Sequence, residues 1–111
     1  MKQKNHANSH LNMEEHHLYE IINSEENDVL KYGICGKPLR DDGKSPRAEE
    51  QVRFLNRIAG WLQYFSRVIL TKIKGRKKAE EIEEEYIQEY AKIHGHRPKG
   101  NPPRGKDFLD D

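Results

Sequence analysis

Residues 18–36 have the sequence LYEIINSEENDVLKYGICG, which is two short apolar runs on either side of a polar segment. Residues 18–22 and 29–34 are each long enough for a strand, and the NSEEND segment between them has the composition of a turn. The stretch therefore predicts an antiparallel β-hairpin. Tyr19, Lys31 and Tyr32 bring polar atoms into the two predicted strands.

The composition predicts one small domain that buries little apolar surface. The chain has 111 residues, of which 33% are hydrophobic and 35% are charged. It contains no apolar run of roughly 18 residues, so we expect no membrane span. The first residues lack the apolar core of a secretory signal, so we also expect no signal peptide. A single cysteine, Cys35, excludes an internal disulfide.

Charge is balanced overall but uneven along the chain. The formal net charge is +1, which by itself does not indicate a nucleic-acid-binding protein. Basic residues concentrate in 47–78 and 97–106, whereas acidic residues concentrate in 80–89. The sequence therefore allows a local basic surface.

The rest of the chain predicts two helices and a third strand. Ser45 followed by Pro46 is a helix start signal, and Gly60 ends or kinks that helix. Its predicted apolar face contains Ala48, Val52, Leu55, Ala59 and Leu62. Residues 64–73 suit a strand, although a continuing helix is an alternative, and residues 76–93 predict a second helix that Gly95 closes.

These elements predict an α+β fold in which helices flank a small three-stranded antiparallel sheet. The domain is expected to span residues 14–103. We expect residues 1–13 to be a disordered lead-in or linker and residues 104–111 to be a flexible tail.

One glutamate of the second helix lies on its apolar face. At about 100° per residue the predicted apolar face contains Ile82, Tyr86, Ile87, Tyr90 and Ile93. Glu83 falls between Tyr90 and Ile87. A buried carboxylate is unfavourable unless it is paired or binds a cation. The sequence leaves both a buried ion pair with an arginine and a metal-ligand role open for Glu83.

The first helix has a comparable feature. Gln51 lies within its inward arc, between Ile58 and Leu55, and Arg47 lies one turn earlier at the margin of that arc. With Glu83 and the hairpin tyrosine, these side chains predict a polar site that could hold a phosphate. Packing of Arg47 along the helix edge is the simpler alternative.

The ordered series LYEI, VLKYGICGKPL, DGKSPRAEEQV, IKGRKKAEEIEEEYIQEY and HGHRPKGN resembles the GIY-YIG nuclease fold. It is most similar to the URI-fold toxin domains of bacterial polymorphic toxin systems, from about residue 17 to residue 101. The resemblance implies that Tyr19 matches the tyrosine of the first family motif and that Lys31, Tyr32 and Gly33 occupy the second. Two positions depart from the family pattern, because His17 replaces a glycine and Lys31 stands where a tyrosine is usual.

The resemblance also implies catalytic roles for four residues. Arg47 matches the catalytic arginine, Glu83 matches the metal-binding glutamate, and either Tyr19 or Lys31 activates the attacking water. Five further residues are expected to line or support the substrate site: His17, Tyr32, Gly33, Gln51 and Asn101.

The implied activity is hydrolysis of a phosphodiester bond with one divalent cation, Mg²⁺ or Mn²⁺, and no small-molecule cofactor. The expected substrate is nucleic acid, with DNA favoured over RNA. The toxin resemblance further implies a cognate immunity protein as a partner. It also implies delivery by a secretion system and action in the cytoplasm of a target cell, with a plain cytoplasmic location as the alternative.

Two other functions remain open at this stage. His16 and His17 together with His94 and His96 suggest a histidine-metal nuclease of the HNH kind, although neither pair has helical ligand spacing. The non-enzymatic alternative is a small binding or immunity-type module, in which Tyr86 and Tyr90 serve only the core.

Overall fold

The computed structural model describes residues 13–103. In chain order it contains strand β1 (Glu15–Asn23), strand β2 (Asp28–Cys35), helix α1 (Pro46–Ala59), strand β3 (Tyr64–Lys74) and helix α2 (Arg76–His94). The strands form one antiparallel sheet in the order β2-β1-β3. The predicted α+β class and three-stranded antiparallel sheet are confirmed. Most of the predicted lead-in and the whole predicted tail lie outside the described residues.

The hairpin forms as predicted, but its first strand begins earlier. β1 starts at Glu15 and therefore includes His16 and His17, which the hydrophobic pattern left out of the strand. Tyr19 pairs with Gly33 across the two strands. The register shifts between Ile21 and Ile22, so β2 contains one extra residue at that point.

Helix α1 begins and ends at the predicted signals. The Ser45 hydroxyl accepts a hydrogen bond from the backbone N–H of Ala48 at 3.2 Å, and Pro46 is the first helical residue. Gly60 ends the helix with a φ of 86°, a left-handed conformation that favours glycine. Leu62 is 83% exposed, so its assignment to the buried helix face was wrong. The chain leaves the helix at Gly60, and helical periodicity no longer applies beyond it.

Residues 64–74 form a strand, which removes the alternative of a continuing helix. Helix α2 ends one residue later than predicted, and Gly95 follows it with a φ of 83°. Ile93 was also expected on the buried face, but it is 72% exposed. The Tyr90 hydroxyl already reaches Asp28, the first residue of β2, so the last turn of α2 extends past the sheet.

The two helices cover opposite faces of the sheet, because successive side chains of β1 point to opposite sides. On the α1 face the buried cluster contains Tyr19, Ile21, Cys35, Ala48 and Val52. On the α2 face it contains Leu18, Ile34, Ile73 and Ala79.

The segment after α2 lies along the outer edge of β2. The backbone N–H of Gly100 donates to the Leu30 carbonyl at 2.7 Å. The Asn101 side chain accepts from the Tyr32 N–H at 2.7 Å and donates to the Tyr32 carbonyl at 2.9 Å. Among residues 13–103, no helix combines the length and the apolar character needed to cross a membrane.

Candidate active site

Tyr19 lies at the centre of the candidate site. It projects from the middle strand towards α1 and is only 1% exposed. Its ring lies across Gly33 on the neighbouring strand, and a Cβ atom at Gly33 would overlap the ring. The side chain that approaches Gly33 closely is therefore Tyr19, the tyrosine of the first motif. This position requires glycine because the ring occupies the space of a side chain.

The environment of Tyr19 keeps its hydroxyl protonated. The hydroxyl donates to Gln51 Oε1 on α1 at 3.4 Å, a long and therefore weak hydrogen bond. Burial raises the pKa of Tyr19 to about 12, and the charge of Arg47 opposes this shift only in part. At neutral pH Tyr19 can donate a hydrogen bond, but it is a poor proton acceptor.

Arg47 reaches the same place from the first turn of α1. It follows Pro46, the first residue of the helix, and its side chain is half-buried. Burial lowers the pKa values of His17 and Lys31 and the positive charge of Arg47 adds to this lowering, whereas for Tyr19 the same charge only partly offsets the rise that burial causes. Within residues 13–103, Arg47 has no hydrogen-bonding or ion-pairing partner. The guanidinium is therefore placed against the hairpin without a direct ion pair to a residue of 13–103.

Lys31 and Glu83 complete the group from β2 and α2. Burial lowers the pKa of Lys31, the negative charge of Glu83 raises it, and Arg47 lowers it. The same glutamate also raises the pKa of Tyr19. The carboxylate therefore acts on both hairpin residues, and the structure brings the four predicted catalytic residues together from four different elements.

His17 lies two residues before Tyr19 on the same face of β1. The two ring centroids are 6.4 Å apart, and His17 is 4% exposed. Burial and, to a smaller degree, Arg47 lower its pKa, so its imidazole is neutral at pH 7. Its buried Nε2 atom has no hydrogen-bond partner among the described residues. His17 is thus beside the group, and its predicted contact with substrate stays a prediction.

Tyr32 and Asn101 do not join this group. The Tyr32 side chain points to the α2 face, where its ring lies 5.6 Å from that of Tyr86. Both polar groups of the Asn101 amide bind the Tyr32 backbone. This geometry suits Asn101 for holding β2, and therefore the neighbouring Lys31, in position.

Arg97 is a residue near the site that the sequence did not single out. Its Nε donates to the Asn101 carbonyl at 2.8 Å, and its Nη1 pairs with Glu84 at 3.2 Å. It therefore ties α2 to the segment along β2. A cleft of about 220 Å³ lies here and is lined by Glu83, Arg97 and Asn101 among others. The Gly95 helix stop was visible in the sequence, but the return of the chain to β2 was not.

The described residues offer few protein ligands for a metal ion. Residues 13–103 contain no group of three or more His, Cys, Asp or Glu side chains that could hold a metal ion. A single carboxylate such as Glu83 suits Mg²⁺ or Mn²⁺, because Mg²⁺ usually keeps several waters and Mn²⁺ has similar oxygen preferences. The arrangement does not suit zinc, which prefers several nitrogen or sulfur ligands.

The two histidine pairs proposed for an HNH site lie at opposite ends of β2. His94 stacks on Tyr90 with ring centroids 4.0 Å apart, and Tyr90 binds Asp28 at the start of the strand. His17 instead pairs with Cys35 at the end of β2, which is about 23 Å away along an extended strand. The HNH prediction is therefore not supported.

The chain matches the model of a known family. The family model described as URI fold toxin 2 matches residues 9–95. No curated protein and no solved structure matches the chain.

Proposed function

The chain belongs to the URI fold toxin 2 family, and from this premise we propose that it is a metal-dependent endonuclease that hydrolyses phosphodiester bonds. The main support is that Arg47, Lys31 and Glu83 lie close enough to a buried tyrosine, Tyr19, to affect one another's charges or its pKa. Two basic side chains and one carboxylate suit an anionic substrate together with a cation. We expect nucleic acid as the substrate, with DNA favoured over RNA.

Arg47 is the residue that binds the scissile phosphate. A guanidinium can form two parallel hydrogen bonds to phosphate oxygens, and its charge offsets the charge that develops on them. Its placement next to buried groups strengthens this interaction, because water screens it less there. This role is supported by the absence of an ion pair to the Arg47 guanidinium within residues 13–103.

Lys31 is the better of the two candidate bases. Tyr19, with a pKa of about 12, holds its proton at neutral pH and serves to orient the attacking water. Burial lowers the pKa of Lys31, which increases the fraction of neutral amine available to accept a proton. His17, Gly33 and Gln51 lie next to Tyr19.

Glu83 would hold a single Mg²⁺ or Mn²⁺ ion. When bound, such a cation polarises the phosphate and stabilises the leaving oxygen. Asn101 and Arg97 then act as positioning residues, because they fix the edge strand and the cleft beside Glu83.

Membership of a toxin family supports further proposals about the partner, delivery and site of action of the chain. We expect a cognate immunity protein to inhibit the chain, and we expect a secretion system to deliver it. The site of action is then the cytoplasm of a target cell.

The direct test is a nuclease assay with matched variants. Purified protein is incubated with plasmid DNA and with total RNA in the presence of Mg²⁺. Glu83→Gln should abolish degradation and Arg47→Ala should strongly reduce it, whereas Glu81→Gln, which changes an exposed glutamate of the same helix, should do neither. EDTA should also stop the reaction. Intact DNA and RNA after incubation with the folded parent protein would contradict the proposal and favour a binding module.

The toxin role has a separate test. Expression of the parent chain in bacteria should stop growth, and the Glu83→Gln variant should relieve this effect. Equal growth inhibition by both proteins would separate toxicity from the proposed chemistry.

A further inference from the structure

The C-terminal end of α1 and the turn into β3 form an exposed apolar surface with a basic border. We call it the α1–β3 corner and define it by six residues: Arg53, Phe54, Arg57, Ile58, Trp61 and Leu62. All six are exposed, with Trp61 at 51% and Leu62 at 83%. A group of exposed apolar side chains of this kind marks a binding surface more often than a chance arrangement.

A rigid turn holds Trp61 and Leu62 in the solvent. Oδ1 of Asn56 accepts hydrogen bonds from the backbone N–H groups of Gln63 at 2.8 Å and Tyr64 at 2.7 Å. Its Nδ2 donates to the Tyr64 carbonyl at 3.0 Å. The apolar side chains are therefore presented in a fixed position, which lowers the entropy cost of binding a ligand.

The charge of the corner is positive. A cleft of about 520 Å³ lies between the end of α1 and the turn, and its charged lining residues are Arg53 and Arg57. No carboxylate lines this cleft, and neither arginine forms an ion pair within residues 13–103. The corner thus fits an anionic ligand that also has flat apolar surfaces.

The corner continues from the candidate active site along one side of α1. Arg47, Gln51, Phe54 and Ile58 follow one another at helical spacings of four, three and four residues. Gln51 contacts the Tyr19 hydroxyl, so this side of the helix borders the site. Arg47 and Ile58 are separated by about 16 Å along the helix axis.

We propose that the α1–β3 corner binds a single-stranded segment of nucleic acid that extends from the candidate active site. Unpaired bases stack on Phe54 and Trp61, while Arg53 and Arg57 contact phosphates. Single strands are specified because a duplex keeps the faces of its bases covered. This inference rests on the proposed nuclease function and adds to it a preference for unpaired substrate.

The test measures binding without cleavage, using the Glu83→Gln chain in EDTA. Trp61 is the single tryptophan of the chain, so its emission reports on the corner directly. Twelve-residue oligothymidylate and oligouridylate, as DNA and RNA probes, should quench this emission, and the affinity should fall as salt is raised. A blunt-ended duplex and polyglutamate should leave the emission unchanged.

Matched variants locate the contact, with fluorescein-labelled oligothymidylate followed by anisotropy. Phe54→Ala should weaken binding roughly tenfold through the loss of one stacking contact. The control, Ile93→Ala, changes a comparably exposed side chain on α2 and should have no effect. Arg57→Gln should reduce the salt dependence by about one phosphate contact.

The outcomes separate the inference from the nuclease proposal. Cleavage by the parent chain without quenching of Trp61 would overturn the corner and leave the nuclease function intact. Quenching of Trp61 without any cleavage by the parent chain would support nucleic-acid binding at the corner and overturn the nuclease function. Equal quenching by polyglutamate would instead assign the corner to an acidic polypeptide, and equal quenching by the duplex would remove the preference for single strands.

Discussion

The two ends of α1 differ in what they present to the surroundings. At the N-terminal end, Ser45 is buried and Arg47 faces a buried tyrosine. At the C-terminal end, Trp61 and Leu62 are exposed. The N-terminal end lies beside residues whose pKa values burial has shifted, which suits catalysis. The exposed surface at the C-terminal end suits binding of a ligand. Helix α1 thus positions a catalytic group at one end and a binding surface at the other. Mutations at its two ends should therefore have different effects.

The largest expected effect separates the two ends by kinetics. Arg47→Ala should lower kcat by roughly 10²–10³-fold, because it removes a group that stabilises charge in the transition state. Arg57→Ala should leave kcat unchanged and raise KM several-fold, because its contact with substrate is made equally before and during the reaction. Steady-state nuclease kinetics measure both. A loss of kcat in Arg57→Ala would show that the C-terminal end of α1 also takes part in catalysis and would contradict the assignment of Arg57 to substrate binding alone.

The next effect concerns the space under Tyr19. Gly33→Ala should lower the free energy of unfolding by about 3 kcal/mol, because the new methyl group overlaps the tyrosine ring. Gly60→Ala at the other end of α1 meets no atom within 4 Å and should cost only about 1 kcal/mol, from its φ of 86°. Urea denaturation of both variants measures the difference. Equal costs would mean that the ring can move aside.

Alkaline pH tests the burial of the tyrosine hydroxyl. The pKa of Tyr19 is raised to about 12, so the folded state keeps a proton that the unfolded chain releases near its usual pKa of 10.0. This contribution to stability is complete below pH 10 and is lost between pH 10 and 12, at about 1.4 kcal/mol per pH unit.

Unfolding free energies from urea titrations between pH 8 and 12 give this slope. Tyr19→Phe should remove the contribution of Tyr19 to this pH dependence of the unfolding free energy. The contribution of Tyr90, whose pKa is also raised to about 12, should remain. An unchanged slope in Tyr19→Phe would show that the hydroxyl titrates normally.

The smallest effect concerns the turn that presents Trp61. Asn56→Ala should lower the free energy of unfolding by about 2 kcal/mol, because three hydrogen bonds to the turn are lost. Trp61 should then become more mobile, which time-resolved fluorescence anisotropy measures. Nuclease chemistry at the other end of α1 should be unaffected. A Trp61 anisotropy decay like that of the parent chain would show that the turn is rigid without Asn56.

Much of the fold could be predicted because strong local signals mark the ends of its elements. Ser45 and Pro46 begin α1, and Gly60 and Gly95 end the two helices where their sequence positions indicate. The start of β1 was missed because His16 and His17 are polar, and only the completed fold buries them. Ile93 was misplaced because periodicity defines a helix face but not how far the sheet beneath it extends.

The candidate site was predicted in part for a similar reason. The angular position of Glu83 and the position of Arg47 could be read from helical spacing, and the structure brings both to the hairpin. The ring of Tyr19 over Gly33 depends on strand register, which residue types alone do not fix. The resemblance implied a supporting role for Asn101. The contacts that Asn101 and Arg97 make depend on a return of the chain to β2, which a coil-like sequence does not indicate.

The segment along β2 has a consequence for self-association. An uncovered outer strand offers free N–H and C=O groups to a strand of another molecule, and this begins ordered aggregation. Gly100 and Asn101 occupy such groups on Leu30 and Tyr32. Proteolytic cleavage just after α2 would therefore do more than loosen the neighbourhood of Lys31, since it would also leave the sheet prone to polymerise.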